Sequence, residues 1–190
     1  MDADFSIELG PEDPVLDFPW NDPAGKLAYV DLKRHPELLA TIEEVKKFPE
    51  LGKFLRTVNS ERSALQTAKC DAWETTELNA EEEIYNASHK FASYVDVVFT
   101  DRHARLTLSA PEQFACKLVE LLRRAPEIPA AAEVYVRRCY FAAEEARVQE
   151  GFYCTLYVSG YGNDRAAARQ NWGVGLKLTA NAIVQLSATG

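Results

Sequence analysis

Apolar positions recur along this chain with two periods, and the changes between them mark out its elements. Phe5, Ile7 and Leu9 alternate with polar residues as a short strand does, before Gly10-Pro11, Pro14, Pro19 and Pro23 interrupt regular structure. Residues 1–25 therefore read as an extended arm. Its apolar residues Val15, Leu16, Phe18 and Trp20 need cover, either from the protein's own surface or from a partner. Lys26 to Leu32 is expected as a strand. Pro36 opens a helix with Glu37 in its first turn, Lys46-Lys47 in its last, and Leu38, Leu39, Ile42 and Val45 as its buried stripe. A second helix starts at Pro49, buries Leu51, Phe54, Leu55 and Val58, and ends near Asn59.

Period two returns in residues 64–75 and 90–100. The second of these sets Phe91, Ser93, Val95, Val97 and Phe99 against Ala92, Tyr94, Asp96 and Val98. In the acidic link between them, Asn79 and Glu82 have the spacing of a capping box. A turn at Asp101-Arg102-His103 leads to a short expected strand, Ala104–Leu108. Ser109-Ala110-Pro111-Glu112 then has the composition of a capped helix start, followed by Phe114, Leu118, Leu121 and Leu122 at helical spacing. A hairpin is expected over 132–141 and 151–159, with Phe152, Cys154, Leu156 and Val158 on one face and Tyr153, Thr155 and Tyr157 on the other. Asn163 or Asp164 caps a long final helix that places Ala168, Trp172, Leu176, Ala180 and Ile183 on one side.

This order predicts an α+β fold: a mainly antiparallel sheet, helices packed largely on one face, and a long C-terminal helix. It also admits a tandem β-α-β-β pseudo-duplication, with halves 26–100 and 101–190 of a single domain spanning 26–190. Pro36-Glu37 leads to Lys46-Lys47 and Pro49, as Pro111-Glu112 leads to Arg123-Arg124 and Pro126.

Composition narrows the functional classes. With 47% hydrophobic and 26% charged residues, the 190-residue chain can bury a core without metal or disulfide support. The net charge of −8 is concentrated at the start, where the first twenty residues hold six carboxylates and no Lys or Arg. That balance argues against a nucleic-acid binder. The absence of a long apolar run or a basic leader points to a cytoplasmic, non-membrane protein. Cys70, Cys116, Cys139 and Cys154 lack CxxC spacing and sit in apolar or strand-like runs, so structural thiols are expected.

Three features carry candidate chemistry. The turn Gly160-Tyr161-Gly162-Asn163-Asp164-Arg165 offers backbone amides and Arg165 to an anion, although the glycine pattern of a dinucleotide site is incomplete. Arg137 and Arg138 are neighbours on a strand, so one of them must share a sheet face with Tyr153, Tyr157 and Tyr135, a surface suited to a carboxylate, phosphate or planar ligand. Phe18 and Trp20 are the candidates for docking a partner. His35, His89 and His103 lack the spacing of a helical zinc site, and neither a metal nor a cofactor is expected. Asp96, Asp101 and His103 could converge at a hairpin end, and Cys70-Asp71 could face His89 across a hairpin. The leading expectation is a non-enzymatic domain that binds a small molecule or a protein, with a homodimer through arm exchange as a further form. The alternative is a small enzyme acting on an anionic substrate where the tyrosine/arginine face and the 160–165 turn converge.

Overall fold

Two hairpins make the centre of the fold. In the computed structural model, which describes residues 1–25, 27–142 and 148–188, β3 (Leu65–Thr75) pairs antiparallel with β4 (His89–Phe99), and β5 (Ala130–Ala142) with β6 (Val148–Gly162). β4 and β6 then pair antiparallel with each other at the middle of the sheet. Residues 1–25 complete the other edge, because β1 (Asp2–Glu8) and β2 (Leu16–Phe18) both run parallel to β5, giving the order β1-β5-β6-β4-β3 with β2 following β1 along β5. The sheet is thus mainly antiparallel, with parallel pairing confined to the arm.

Helices α2 (Pro49–Val58), α4 (Ser109–Arg123) and α5 (Arg165–Ala188) cover one face. The strand alternation directs Phe91, Val95 and Val97, with Val134, Leu156 and Val158, into the layer they close. Trp172 of α5 is fully buried there and donates from Nε1 to Ser93 Oγ at 2.9 Å. Asp164 caps α5 by accepting from the Ala167 amide at 2.8 Å. No described helix is long and apolar enough to cross a membrane.

Several local expectations need correction. Residues 27–32 contribute an isolated bridge, Asn21 with Ala28, and Lys26 lies outside the described residues; the edge beside β5 is taken by the arm. The helix expected from Pro36 is split into a 3-10 turn, Pro36–Thr41, and a short α1, Glu43–Lys47, because Ile42 adopts an extended conformation. Of its expected stripe only Leu39 is buried, and Leu38 is 37% exposed. The strand expected at Ala104–Leu108 is instead a helix, α3 (Arg102–Leu106), started by Asp101, whose side chain accepts from the Ala104 amide. Because α3 runs almost directly into α4, Leu108 is already helical. The amides of Ala110 and Glu112 bond Thr107 and Leu108 carbonyls, so Ser109 lies inside the helix and makes no cap. What repeats in the chain is therefore a helix followed by a hairpin, and the strand expected at the head of each half has another role.

Candidate functional site

The helix-free face of the sheet has three zones. Its first is a satellite core, where Leu16 and Phe18 pack on Ala68, Val98, Cys139 and Phe141, with Trp20 and Tyr29 at the margin. Parallel pairing of Leu16 with Cys139 and Phe18 with Phe141 sets these side chains over the sheet. Phe18 is buried, its ring 4.7 Å from Tyr29 and 5.8 Å from Phe141. Trp20 is half-buried and donates from Nε1 to the Ala68 carbonyl at 2.7 Å. The structure thus places both candidate partner-docking residues against their own sheet.

The opposite end is closed by the 3-10 turn Ala80–Tyr85. Asn79 and Glu82 cap it reciprocally, Asn79 N to Glu82 Oε2 at 2.9 Å and Glu82 N to Asn79 Oδ1 at 3.0 Å. Although it comes from the acidic link, Glu82 is buried, pairs with Lys90 and accepts from Tyr161 Oη at 2.8 Å. Burial pushes its carboxyl up, but the hydrogen bonds from Lys90, the Asn79 amide and Tyr161 outweigh that and hold it below the ordinary range. Tyr85 stacks flat on Tyr161, with centroids 4.0 Å apart.

Between these ends lies a row of four rings, one from each of four neighbouring strands: Trp73 (β3), Tyr94 (β4), Tyr157 (β6) and Tyr135 (β5). Their consecutive centroids are 6.5, 5.9 and 5.6 Å apart. Trp73 is 36% exposed and the three tyrosines are half-buried. At the Trp73 end the row opens into a shallow cleft of about 550 Å³ bordered by Leu78, Glu82 and Lys90.

A polar network runs beside the row. Arg137 donates from Nε to Glu8 Oε2 at 2.7 Å and from Nη1 to Thr155 Oγ1 at 3.0 Å, and Thr155 donates to Asp96 Oδ1 at 2.7 Å. The Arg137 guanidinium also lies 4.8 Å from the Tyr135 centroid. Burial raises the Asp96 carboxyl to about 6, against hydrogen bonding from Thr155 and the charges of Arg137 and Lys69. Burial, then the carboxylates of Asp96 and Asp71, also pushes the Tyr94 phenol up. By strand alternation this face carries Asp71, Asp96, Glu133, Asp2, Asp4 and Glu8 against Lys69, Lys90 and Arg137, an acidic balance.

The sequence-derived candidates separate. Arg137, Tyr153 and Tyr157 meet on the open face with Tyr135. Arg138 points to the other side, 3.5 Å from Glu150. Arg165 pairs with Glu74 at 2.8 Å, away from Arg137. Gly160 and Gly162 lie beneath α5: a Cβ on Gly160 would fall 2.0 Å from Trp172 N, and one on Gly162 would fall 2.5 Å from Ala168 N. These glycines allow helix and strand backbones to touch. Asp101 caps α3, while Asp96 sits in mid-strand. Cys70 pairs in register with Val95 and His89 with Gly162, at separate points along β4. Among the described residues no group of three His, Cys, Asp or Glu is placed to hold a metal ion. All four thiols are unpaired, and burial raises Cys70, Cys139 and Cys154 to about 12.

Sequence reasoning passed over Trp73, Tyr94 and Glu8. The signal for the first two was present, because Lys69, Asp71 and Trp73 alternate on β3 as Tyr94 and Asp96 do on β4. Glu8 carried no such signal, since its place beside Arg137 depends on the parallel pairing of β1 with β5. Comparison with known proteins adds no relationship: no family model, curated protein or solved structure matches this chain.

Proposed function

We propose that this chain is a non-enzymatic binding domain whose ligand lies across the open sheet face, over Trp73, Tyr94, Tyr157 and Tyr135. One observation carries the reading: four aromatic rings form a continuous, part-exposed row at the only stretch of that face left uncovered between the arm and the 80–85 turn, among the described residues. Aromatic rings gain most from burial and lose little conformational freedom on binding, so such a row is a low-cost platform for a planar or extended ligand.

The enzymatic alternative has one observation in its favour. Asp96, with its carboxyl raised to about 6, is the kind of group that general acid–base catalysis uses. Against it, Asp96 is only 6% exposed. The arginines that would hold an anionic substrate are engaged by Glu8 and Glu74, and the raised thiols are poor nucleophiles.

Titrating ¹⁵N-labelled protein with a fragment set of aromatic, cationic and anionic small molecules tests the proposal. Saturable shifts at the Trp73 indole N–H and the Tyr94 and Tyr157 amides, lost in a Trp73→Ala/Tyr94→Ala variant, are expected. Shifts confined to Gly160–Arg165 would overturn it in favour of an anion site at that turn.

A further inference from the structure

The occupant of the open face can be specified further from its charge, an inference that rests on the binding reading above. We infer that it is an extended segment of a partner protein that lays arginine side chains on the aromatic row. The face of an aromatic ring is the negative pole of its quadrupole and attracts a cation. Asp71 stands directly opposite Tyr94 in the β3–β4 ladder, and Glu133 directly opposite Tyr157 in the β5–β6 ladder, so a carboxylate borders each of the two central rings.

Neither carboxylate is paired with a cation among the described residues. Asp71 accepts from the Ala72 amide at 2.7 Å and Glu133 from Tyr135 Oη at 2.6 Å, both neutral donors. The cations that this face does possess are already committed. Arg137 is held by Glu8 and covers Tyr135, Lys69 sits 5.0 Å from the Trp20 centroid, and Lys90 is paired with Glu82. Arg137 on Tyr135, beside a carboxylate, displays within the protein the contact that Tyr94, Tyr157 and Trp73 still offer.

Geometry selects arginine and a chain. A guanidinium can stack its plane on a ring while its N–H fork engages a neighbouring carboxylate, which a lysine ammonium cannot do. The row crosses three interstrand spacings, roughly 15 Å, the length of about four or five extended residues. Alternate side chains of such a segment point the same way and can meet successive rings.

The test uses three peptides on the full chain: hexa-arginine, its hexa-citrulline counterpart, which keeps the shape without the charge, and hexa-glutamate. The expected result is saturable binding of hexa-arginine that shifts the Trp73 indole N–H and the Tyr94 and Tyr157 amides, with hexa-citrulline at least about tenfold weaker. Asp71→Asn/Glu133→Gln should weaken hexa-arginine by about tenfold or more. Glu12→Gln/Glu61→Gln, which removes the same charge elsewhere, should change affinity by less than about threefold. Thermal melts of both variants matching the parent exclude misfolding as the cause. Equal losses in the two variants, or shifts scattered over the surface, would reduce the effect to general attraction to an acidic protein and overturn the inference. Hexa-citrulline or hexa-glutamate binding the row as tightly would overturn the arginine requirement while leaving the open face as the binding site. No shift at the row with hexa-arginine also overturns it, and the fragment titration then decides separately whether the face binds anything.

Discussion

The two faces of this sheet are made by the same strands, one residue out of phase, yet they have different physical characters. On the helix-covered face, Phe91, Val95, Leu156 and Val158 meet α5 so closely that at Gly160 there is no room for a Cβ. On the open face, the aromatic row between the arm and the 80–85 turn is part-exposed, while Asp96 and Arg137 beside it are buried and hydrogen-bonded. Close packing binds each residue to its neighbours, so substitutions there act on stability. A part-exposed row has partners on one side only and can change with little effect on folding. Stability is therefore expected to depend most on the helix side, and the aromatic row to tolerate change.

The sharpest way to break this comparison is at Trp172. Trp172→Ala removes a fully buried ring and leaves Ser93 Oγ without its donor, and should cost about 3–5 kcal/mol in urea unfolding. Gly160→Ala should follow at about 3 kcal/mol, because the added methyl meets backbone atoms at 2.0 and 2.5 Å. A loss below about 1 kcal/mol would show that α5 can lift from the strand.

Asp96→Asn tests the open face with the opposite sign. Its carboxyl is raised from 3.8 to about 6, so the folded protein holds the proton more tightly than the unfolded chain. Stability should fall as pH rises between about 4 and 6. The asparagine variant should lose that slope and gain about 2 kcal/mol at neutral pH. Unfolding midpoints measured across that range decide it; a destabilised variant would mean that the Arg137–Thr155–Asp96 network needs the charge.

Glu82 is the contrasting carboxylate. Its folded value is depressed, so its stabilisation is present above the ordinary carboxylate range and is lost as pH falls through the folded value. Glu82→Gln should cost about 1–2 kcal/mol at neutral pH and flatten the acid limb of the stability profile. The smallest effect belongs to Tyr94→Ala, about 1 kcal/mol or less in stability, with the open-face fragment shifts lost. A large loss of stability there would place the aromatic row in the core's service and weaken the functional reading.

Much of the architecture was legible because strand alternation and helical spacing are local. The hairpins, α2, α4 and α5 sit where the period changes, and the reciprocal capping of Asn79 and Glu82 formed as its spacing suggests. The same alternation foretold that one of Arg137 and Arg138 would join the tyrosines, and Arg137 does. The spacing of the 160–165 turn was legible too, but its physical use was not. Glycine that admits a ligand and glycine that admits a helix are identical in sequence, and only the position of α5 distinguishes them.

By itself, the sequence determined the α+β class, the antiparallel hairpins, the division of each strand into an apolar and a polar face, and the long C-terminal helix, because each depends on residues close together in the chain. Tertiary structure alone decided that residues 2–8 and 16–18 become parallel edge strands, that Glu8 neutralises Arg137, that Glu82 is buried under Tyr161, and that Trp73, Tyr94, Tyr157 and Tyr135 line up. Each of these joins residues far apart in sequence, and the order and register of strands in a sheet follow from packing over the whole fold, which no local period records.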